Sequence, residues 1–267
     1  WIVGIDTGGT FTDLAAVHRK TGEIYTAKVP SDPANPARAM VRALQQFASE
    51  KVASIADISL LAHGTTVATN AVIENKGVKA GLFITSGMRA VYDTRGGTRP
   101  KGADLIDPFY TKPPTLVPQS LTWEIKERVA YDGSVLEALD KDCVRKAVLE
   151  MKQAGVQSAA VCYLFSFLHP EHELRTAEII KELYPECRVS LSSTVLPVIR
   201  EYPRLSTTVL DAYVGPVVEH YFNDLQRRVK EMGLQTNQFY IMQSNGGSMR
   251  INIAVQFPNE TLLSGPA

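Results

Sequence analysis

Residues 6–13 read DTGGTFTD, and this stretch decides the fold of the 267-residue chain. An apolar run precedes it at residues 1–5, and a second apolar run follows at residues 14–17. Two short apolar runs joined by a double glycine predict a β-hairpin with a tight turn. Two carboxylates and three threonines decorate that turn, which is more polar chemistry than a turn requires.

The composition of the turn suits phosphate. We expect Gly8 and Gly9 to take positive φ, so that backbone amides point together at an anion. Thr7, Thr10 and Thr12 offer hydroxyl donors beside them. The alternative is an ordinary hairpin, in which the glycines only permit the turn and the polar side chains satisfy backbone donors.

Asp6 carries the predicted metal chemistry of the turn. A carboxylate does not bind phosphate directly, because like charges repel. It can instead hold the water molecules of a Mg²⁺ ion that bridges to the phosphates, since Mg²⁺ prefers oxygen ligands and keeps several waters.

Residues 4–13, GIDTGGTFTD, resemble the first phosphate loop of the hydantoinase A/5-oxoprolinase family, which belongs to the actin, heat-shock-chaperone and sugar-kinase superfold. Six further blocks resemble the family in its own order and spread over nearly the whole chain. They are HGTTVATN at 63–70, REY at 200–202, STT at 206–208, AYVGP at 212–216, QSNGG at 243–247 and LSGPA at 263–267.

The resemblance implies an α/β fold, the ribonuclease H-like lobe of an actin-like ATPase, with a mixed sheet and flanking helices. It divides the chain into a first lobe at residues 1–198, with an inserted loop region at about 88–155, and an incomplete second lobe at 199–267. A second phosphate loop is implied beyond residue 267. Together with the start at Trp1 and the end at Ala267, this favours a fragment of a longer polypeptide.

In the family, ATP activates an amide, lactam or enolate oxygen as a phosphate ester. The resemblance therefore implies an ATP-dependent cyclic-amide hydrolase that uses ATP and Mg²⁺, acts on hydantoin, 5-oxoproline or a similar ring, and works with a hydantoinase B-type subunit or domain. The isolated fragment is expected to be inactive. Two alternatives stay open: a subunit of an ATP-dependent acetone or acetophenone carboxylase, and a non-catalytic ATP-clamp binding module.

Site residues follow from the same resemblance. Phosphate is assigned to Gly8, Gly9, Thr10 and Thr12. The catalytic candidates are Asp6, which holds the Mg²⁺ water, Asp13, which supports it or orients water, and His63. The substrate candidates are Asn70, Arg95, Asn245 and Gly246. For His63, which is predicted at a strand end, the alternative is a hydrogen-bonded structural histidine.

Two other polar features have plain alternatives. Arg95 and Arg99 lie in a polar, glycine-rich stretch and can grip a carboxylate or phosphate, but such a stretch also suits a solvated loop. His169 and His172 have the spacing of a metal pair without a third ligand, and the acidic residues Glu171 and Glu173 beside them suit the first turn of a helix.

Bulk composition excludes several classes of function. The chain is 45% hydrophobic and 21% charged, which is typical of a globular protein. Lys plus Arg and Asp plus Glu are both 28, so a net charge of zero gives no sign of nucleic-acid or membrane binding. No apolar run is long enough to span a bilayer, and no signal peptide is recognisable. Three cysteines without a C-x-x-C motif predict reduced thiols in a cytoplasmic protein.

Periodicity predicts the order of the main elements. Three strands are followed by a helix that begins at Pro36, capped by Asn35. A strand is predicted at 58–62, a helix from Thr65 or Thr66 to Gly77, and strands at 79–85, 121–129 and 158–165. A helix capped by Asp140 and a long helix at 205–232 complete the pattern.

Overall fold

The computed structural model describes residues 1–32, 35–51, 54–97, 109, 111 and 113–262. The chain forms two compact units: Trp1–Gly77 with Val217–Ala267, and Val78–Pro216. The predicted boundary lay between residues 198 and 199, whereas the contacts divide the chain after residues 77 and 216. The first unit is discontinuous, since the chain completes the second unit before returning to it.

The elements are numbered in chain order. The strands are β1 (Ile2–Thr7), β2 (Phe11–Val17), β3 (Ile24–Pro30), β4 (Leu60–Thr65), β5 (Ala80–Thr85), β6 (Thr122–Ile125), β7 (Arg128–Val129), β8 (Val135–Glu137), β9 (Ser158–Cys162), β10 (Arg188–Leu191), β11 (Phe239–Met242) and β12 (Ser248–Arg250). The helices are α1 (Pro36–Lys51), α2 (Val67–Ile73), α3 (Ala90–Thr94), α4 (Lys141–Gln153), α5 (Glu171–Leu183), α6 (Ser192–Val195), α7 (Glu201–Glu231) and α8 (Ile251–Gln256).

The first unit contains a six-stranded mixed sheet in the order β12-β11-β4-β1-β2-β3. The predicted hairpin is confirmed, because β1 pairs antiparallel with β2 and Asp6 lies opposite Asp13. On its other side β1 pairs parallel with β4, which pairs parallel with β11. The carboxyl ends of these three strands therefore meet at one edge of the sheet, where open α/β sheets bind ligands.

Helix α1 forms as predicted. The Asn35 side chain accepts a hydrogen bond from the Arg38 amide at 3.3 Å. Met40, Leu44 and Phe47 lie on its apolar face and are completely buried. This face covers the sheet of the first unit.

Strand β4 was predicted at residues 58–62 but runs from Leu60 to Thr65. Pairing with β1 on one side and β11 on the other extends it beyond its apolar run. His63 therefore lies inside the strand rather than at its end. Helix α2, which follows, ends before Gly77, because Asn75 takes a φ of 54° and the Lys76 amide bonds back to the Ala71 carbonyl at 2.8 Å.

The second unit contains an all-parallel sheet in the order β10-β9-β5-β6 and the small hairpin β7-β8. The Asp140 cap is confirmed, since its carboxylate accepts from the Asp142 and Cys143 amides at 3.1 and 2.9 Å. The predicted strand 121–129 is divided into β6 and β7. The predicted strand 158–165 stops at Cys162, because the Tyr163 amide turns away to bond the Glu173 carboxylate.

Candidate functional site

Three loops converge at the carboxyl edge of the six-stranded sheet, because β1, β4 and β11 run parallel. They are the hairpin tip at 8–10, the start of α2, and the β11–β12 turn at 243–247. This edge brings together the predicted residues Asp6, Asn70 and Asn245. Arg95 belongs to the second unit, and Arg99 lies outside the described residues.

Asp6 and Asp13 form a cross-strand carboxylate pair. Both side chains emerge on the exposed face of the hairpin and line an open groove of about 810 Å³. Lys28 lies 2.9 Å from Asp13 and offsets part of the charge. Partial burial raises the pKa of Asp6, and the neighbouring charge of Asp13 raises it further. A pair of carboxylates that repel each other is a natural place for a cation.

Gly64 fixes the position of the Asp6 carboxylate. It lies opposite Asp6 in the parallel register of β1 and β4. A Cβ atom at residue 64 would stand 2.9 Å from Asp6 Oδ1 and would displace it. Gly64 belongs to the block at 63–70, but this role was not predicted from the sequence, although a glycine inside a strand often marks a close approach of this kind.

The hairpin tip leaves two backbone amides open. The Gly8 amide is already used, since it donates to the Phe11 carbonyl at 3.0 Å. Within the described part of the chain, the amides of Gly9 and Thr10 donate no hydrogen bond. The Gly8 carbonyl accepts from the Ser31 hydroxyl at 2.7 Å, and the Ser31 amide donates to the Thr10 carbonyl. These two hydrogen bonds hold the tip in place.

The expectation of positive φ at Gly8 and Gly9 is wrong, because neither glycine has a left-handed backbone. What the double glycine supplies is access. A Cβ at Gly9 would meet only Asn70 Nδ2, at 3.8 Å, so the bare main chain is open to a ligand.

The threonines of the hairpin divide between its two faces. Thr10 is exposed at the tip. Thr12 is completely buried, and its hydroxyl lies 2.9 Å from Ser31 Oγ and 3.5 Å from Thr7 Oγ1. Thr12 therefore braces the hairpin from within, whereas Thr10 can reach a bound anion.

His63 lies in the interior of β4 and is fully buried. Its Nδ1 faces the Ile5 carbonyl at 3.2 Å, so Nδ1 must carry the proton. Its Nε2 then accepts from the Tyr221 hydroxyl at 2.6 Å. Burial lowers the pKa of His63 to about 4, so the imidazole is neutral at physiological pH.

For Tyr221 the sequence predicts only a place in the long helix at 205–232. Its hydroxyl bonds His63 and lies near the hydroxyls of Thr7 and Thr65, and burial raises the pKa of its phenol. These contacts tie α7 to the ends of β1 and β4. A buried tyrosine hydroxyl needs a hydrogen-bond partner, and a tyrosine on the buried face of a helix is the sequence signal that predicts such a contact.

A second cavity, of about 320 Å³, lies on the helix side of the hairpin. We call it the helix-side cavity. Its walls come from the hairpin tip, the start of α1, helix α2 and the part of α7 beyond Val217, and they include Ser31, Asn35, Thr66, Val67, Asn70 and Ala71. The Asn70 amide donates to Thr66 Oγ1 at 3.2 Å.

The remaining substrate candidates have mainly local contacts. Asn245 Oδ1 accepts from the Gly247 amide at 2.8 Å, and Gly246 takes a φ of 81° in the same turn. Arg95 takes a φ of 52°, and its guanidinium donates to the Pro113 carbonyl at 2.9 Å.

The histidine pair gains no further ligand. His172 Nδ1 lies 2.8 Å from the buried carboxylate of Glu127, and His169 pairs with Glu171 at 3.1 Å. The described residues contain no group of three or more metal-ligating side chains. They also contain no helix that is long and apolar enough to cross a membrane.

Two family models match the chain. One, described as the hydantoinase/oxoprolinase N-terminal region, matches residues 2–184, and one described as hydantoinase/oxoprolinase matches residues 204–267. Caprolactamase subunit alpha from Pseudomonas jessenii is 35% identical over 269 residues, which cover 99% of this chain and 38% of that protein.

Two solved structures resemble the chain closely. Nucleotide-free acetone carboxylase, an enzyme of ATP-dependent acetone carboxylation, has a TM-score of 0.89 and 26% identity over 99% of this chain and 39% of its own. The ATP-dependent caprolactamase of Pseudomonas jessenii has a TM-score of 0.86 and 35% identity, and the match covers 94% of this chain and 36% of the caprolactamase chain. These likenesses confirm the actin-like ATPase fold. The chain spans well under half the length of each relative.

Replacing Asp13 tests the carboxylate pair. We expect Asp13→Asn to lower the pKa of Asp6, because it removes one of the two causes that raise it. Carboxyl-carbon NMR titration of Asp6 measures the change. Asp132→Asn, in the second unit, serves as the control and leaves the value where it was. An unchanged Asp6 pKa in Asp13→Asn would show that the two carboxylates do not interact.

Burial of neutral His63 predicts a pH dependence of stability. Below pH 6.5 the unfolded chain binds a proton at this residue, whereas the folded chain does not until about pH 4. The free energy of unfolding should therefore fall as the pH drops through this window, by up to about 1.4 kcal/mol per pH unit. Urea unfolding at several pH values measures the slope. His63→Gln should lose this share of it, and equal slopes would contradict the prediction.

Proposed function

Because the chain belongs to the hydantoinase/oxoprolinase family, we propose that it forms the ATP-binding part of an enzyme that phosphorylates the oxygen of a cyclic amide before the ring is opened. The observation that carries this proposal is the hairpin. It presents two open amides beside a pair of carboxylates that repel each other.

The γ-phosphate of ATP would lie at the hairpin tip. The amides of Gly9 and Thr10 and the Thr10 hydroxyl are its donors, while Gly8 and Thr12 keep the tip in shape. Preorganised donors of this kind stabilise charge that develops during phosphoryl transfer.

The donor set also fits Mg²⁺. Asp6 and Asp13 provide one or two carboxylates, which is what Mg²⁺ uses together with substrate phosphates and retained waters. Gly64 keeps room for the Asp6 carboxylate, which would hold the metal-bound water, and Asp13 would orient a second water. When bound, Mg²⁺ would neutralise charge on the phosphates.

The chemical need for ATP lies in the substrate. An amide carbon is a poor electrophile. In the proposed step the amide oxygen forms a bond to the γ-phosphorus, while the bond from that phosphorus to the bridging oxygen of ADP breaks, so ADP leaves with the electron pair. The ring carbon then becomes reactive, and a hydantoinase B-type subunit or domain would complete ring opening.

The other predicted residues have supporting places in this proposal. His63 acts from the interior with Tyr221, by fixing the ends of β1 and β4. Asn70, Asn245 and Gly246 lie at the same sheet edge and are assigned to the substrate or nucleotide. For Arg95, which belongs to the second unit, contact with a substrate stays a prediction from the sequence.

A second function is supported by the likeness to acetone carboxylase. The same site would then phosphorylate a ketone as its enolate, and bicarbonate would supply the carboxyl group. The role proposed for the hairpin is the same in both cases, so the two functions differ in the phosphoryl acceptor and in the need for bicarbonate.

Removing the Asp6 carboxylate tests the site directly. In the full-length protein we expect Asp6→Ala to reduce substrate-dependent ADP formation by about 10²-fold or more, as for the loss of one key electrostatic group. ADP release is followed with a cyclic amide and with acetone, each with and without bicarbonate. Stimulation by the amide alone supports the hydrolase, and a requirement for ketone and bicarbonate supports the carboxylase. Near wild-type turnover in Asp6→Ala would remove Asp6 from the mechanism.

Crowding Asp6 tests the same site by geometry. Gly64→Ala places a methyl group against Asp6 Oδ1 and should reduce ADP formation by up to about 10²-fold through misplacement of the carboxylate. Gly4→Ala is the matched control on β1, since its new Cβ would meet only the Ala15 carbonyl at 3.9 Å. Steady-state kinetics and the circular dichroism spectrum are compared for both. Equal losses in the two variants would contradict the specific role of Gly64.

A further inference from the structure

The helix-side cavity and the carboxylate groove lie on opposite faces of one hairpin. Successive side chains of a strand alternate between faces, so Asp6 and Asp13 point to the groove while Thr7 and Thr12 point inward. The proposed phosphate and Mg²⁺ chemistry uses the carboxylate face and the tip. That chemistry does not use the helix-side cavity, whose volume of about 320 Å³ is that of a small-molecule site.

The charges around the cavity are compensated. Lys76 Nζ lies 2.5 Å from the Glu74 carboxylate. Asp224 is bridged by Arg227 and Arg228 at 2.5 and 2.7 Å. Asp32, the third carboxylate of the lining, lies 4.0 Å from Arg38. Each carboxylate of the described lining thus has a basic partner and Lys76 has an acidic one, which leaves no strong field for a charged ligand.

Much of the remaining wall of the cavity is apolar or neutral. Ala37, Val67, Ala71 and Val217 supply apolar surface. Asn70 supplies an amide, which offers both a donor and an acceptor, as the edge of a ring amide does. Apolar walls with a few fixed polar groups are typical of sites for small uncharged molecules.

Asn70 also lies beside the hairpin tip. The Cβ position of Gly9 is only 3.8 Å from Asn70 Nδ2, with no side chain between them. A ligand held by Asn70 is therefore next to the bare main chain that the phosphate is proposed to contact.

We propose that the helix-side cavity holds the phosphoryl acceptor, and that this acceptor is an uncharged cyclic amide, such as a lactam or hydantoin, rather than one that bears a carboxylate, such as 5-oxoproline. The inference rests on the proposed function for the reaction, and on the cavity for the class of substrate. Asn70 pairs with the ring amide, and Val67 and Ala71 contact its apolar part.

The first test compares substrates in the full-length protein. Caprolactam and 5-oxoproline are titrated calorimetrically without nucleotide and then compared in ADP formation. We expect caprolactam to bind at least about tenfold more tightly, because a carboxylate without a partner is costly to desolvate. Tighter binding of 5-oxoproline, or no binding of either ring, would overturn the proposal.

Freeing a cation tests the electrostatic argument. Glu74→Gln leaves Lys76 without its partner and should improve the KM for 5-oxoproline about threefold, with no change for caprolactam. Glu178→Gln removes the same charge from α5 in the second unit and serves as the control. Equal effects of Glu74→Gln on both rings would contradict the proposed neutrality of the cavity.

Blocking the cavity tests its location. Val67→Phe should weaken caprolactam binding at least tenfold and leave the KM for ATP unchanged. Ile73→Phe is the control on the same helix, since Ile73 is 71% exposed and lies outside the lining. Unchanged binding in Val67→Phe would place the ring elsewhere. If caprolactam binds in the cavity but never stimulates ADP formation, the site stands and the proposed reaction fails.

Discussion

The candidate site depends on the close approach of the Asp6 carboxylate to the backbone of Gly64. It exists because β1 and β4 pair in parallel with these two residues opposite each other. A side chain at residue 64 would occupy the space of the carboxylate oxygen. The same register aligns the carboxyl ends of β1, β4 and β11. Both the position of the acid and the meeting of the loops thus follow from one strand pairing.

Buried hydrogen bonds on the helix side of the sheet stabilise the pairing of β1 with β4. His63 accepts from Tyr221 and donates to the Ile5 carbonyl, so the interior of β4 is tied at once to β1 and α7. Neutral histidine suits this place, because a buried charge without a partner would be costly. The hairpin consequently has an ionic outer face and an uncharged inner face, each suited to a different kind of ligand.

Local signals in the sequence predicted several features of both units. The hairpin and the caps at Asn35 and Asp140 depend on neighbours within a few residues, and all three are confirmed. The backbone of Gly8 and Gly9 was predicted wrongly, because glycine serves close approach as well as positive φ. For either glycine, the sequence alone does not distinguish close approach from positive φ.

Tertiary contacts explain the other failures. The end of β4 is set by two partner strands, so an apolar run of five residues gave its position but not its length. Tyr221 lies 158 residues from His63, and nothing in a helical stripe distinguishes a hydroxyl that reaches across the fold. The contact-based division of the chain has the same origin, since the order of motifs along the chain does not record which segments pack together.

The division of the chain also bears on the order in which it can fold during synthesis. The unit at 78–216 is continuous, so every residue it needs has left the ribosome before its neighbour is complete. Strand β4, by contrast, must wait for β11, and the hairpin ends must wait for Tyr221. Contacts that join distant parts of a chain form slowly, because a long loop must close first. The hairpin at the proposed phosphate site is thus translated before the unit at 78–216 and is locked into place after it.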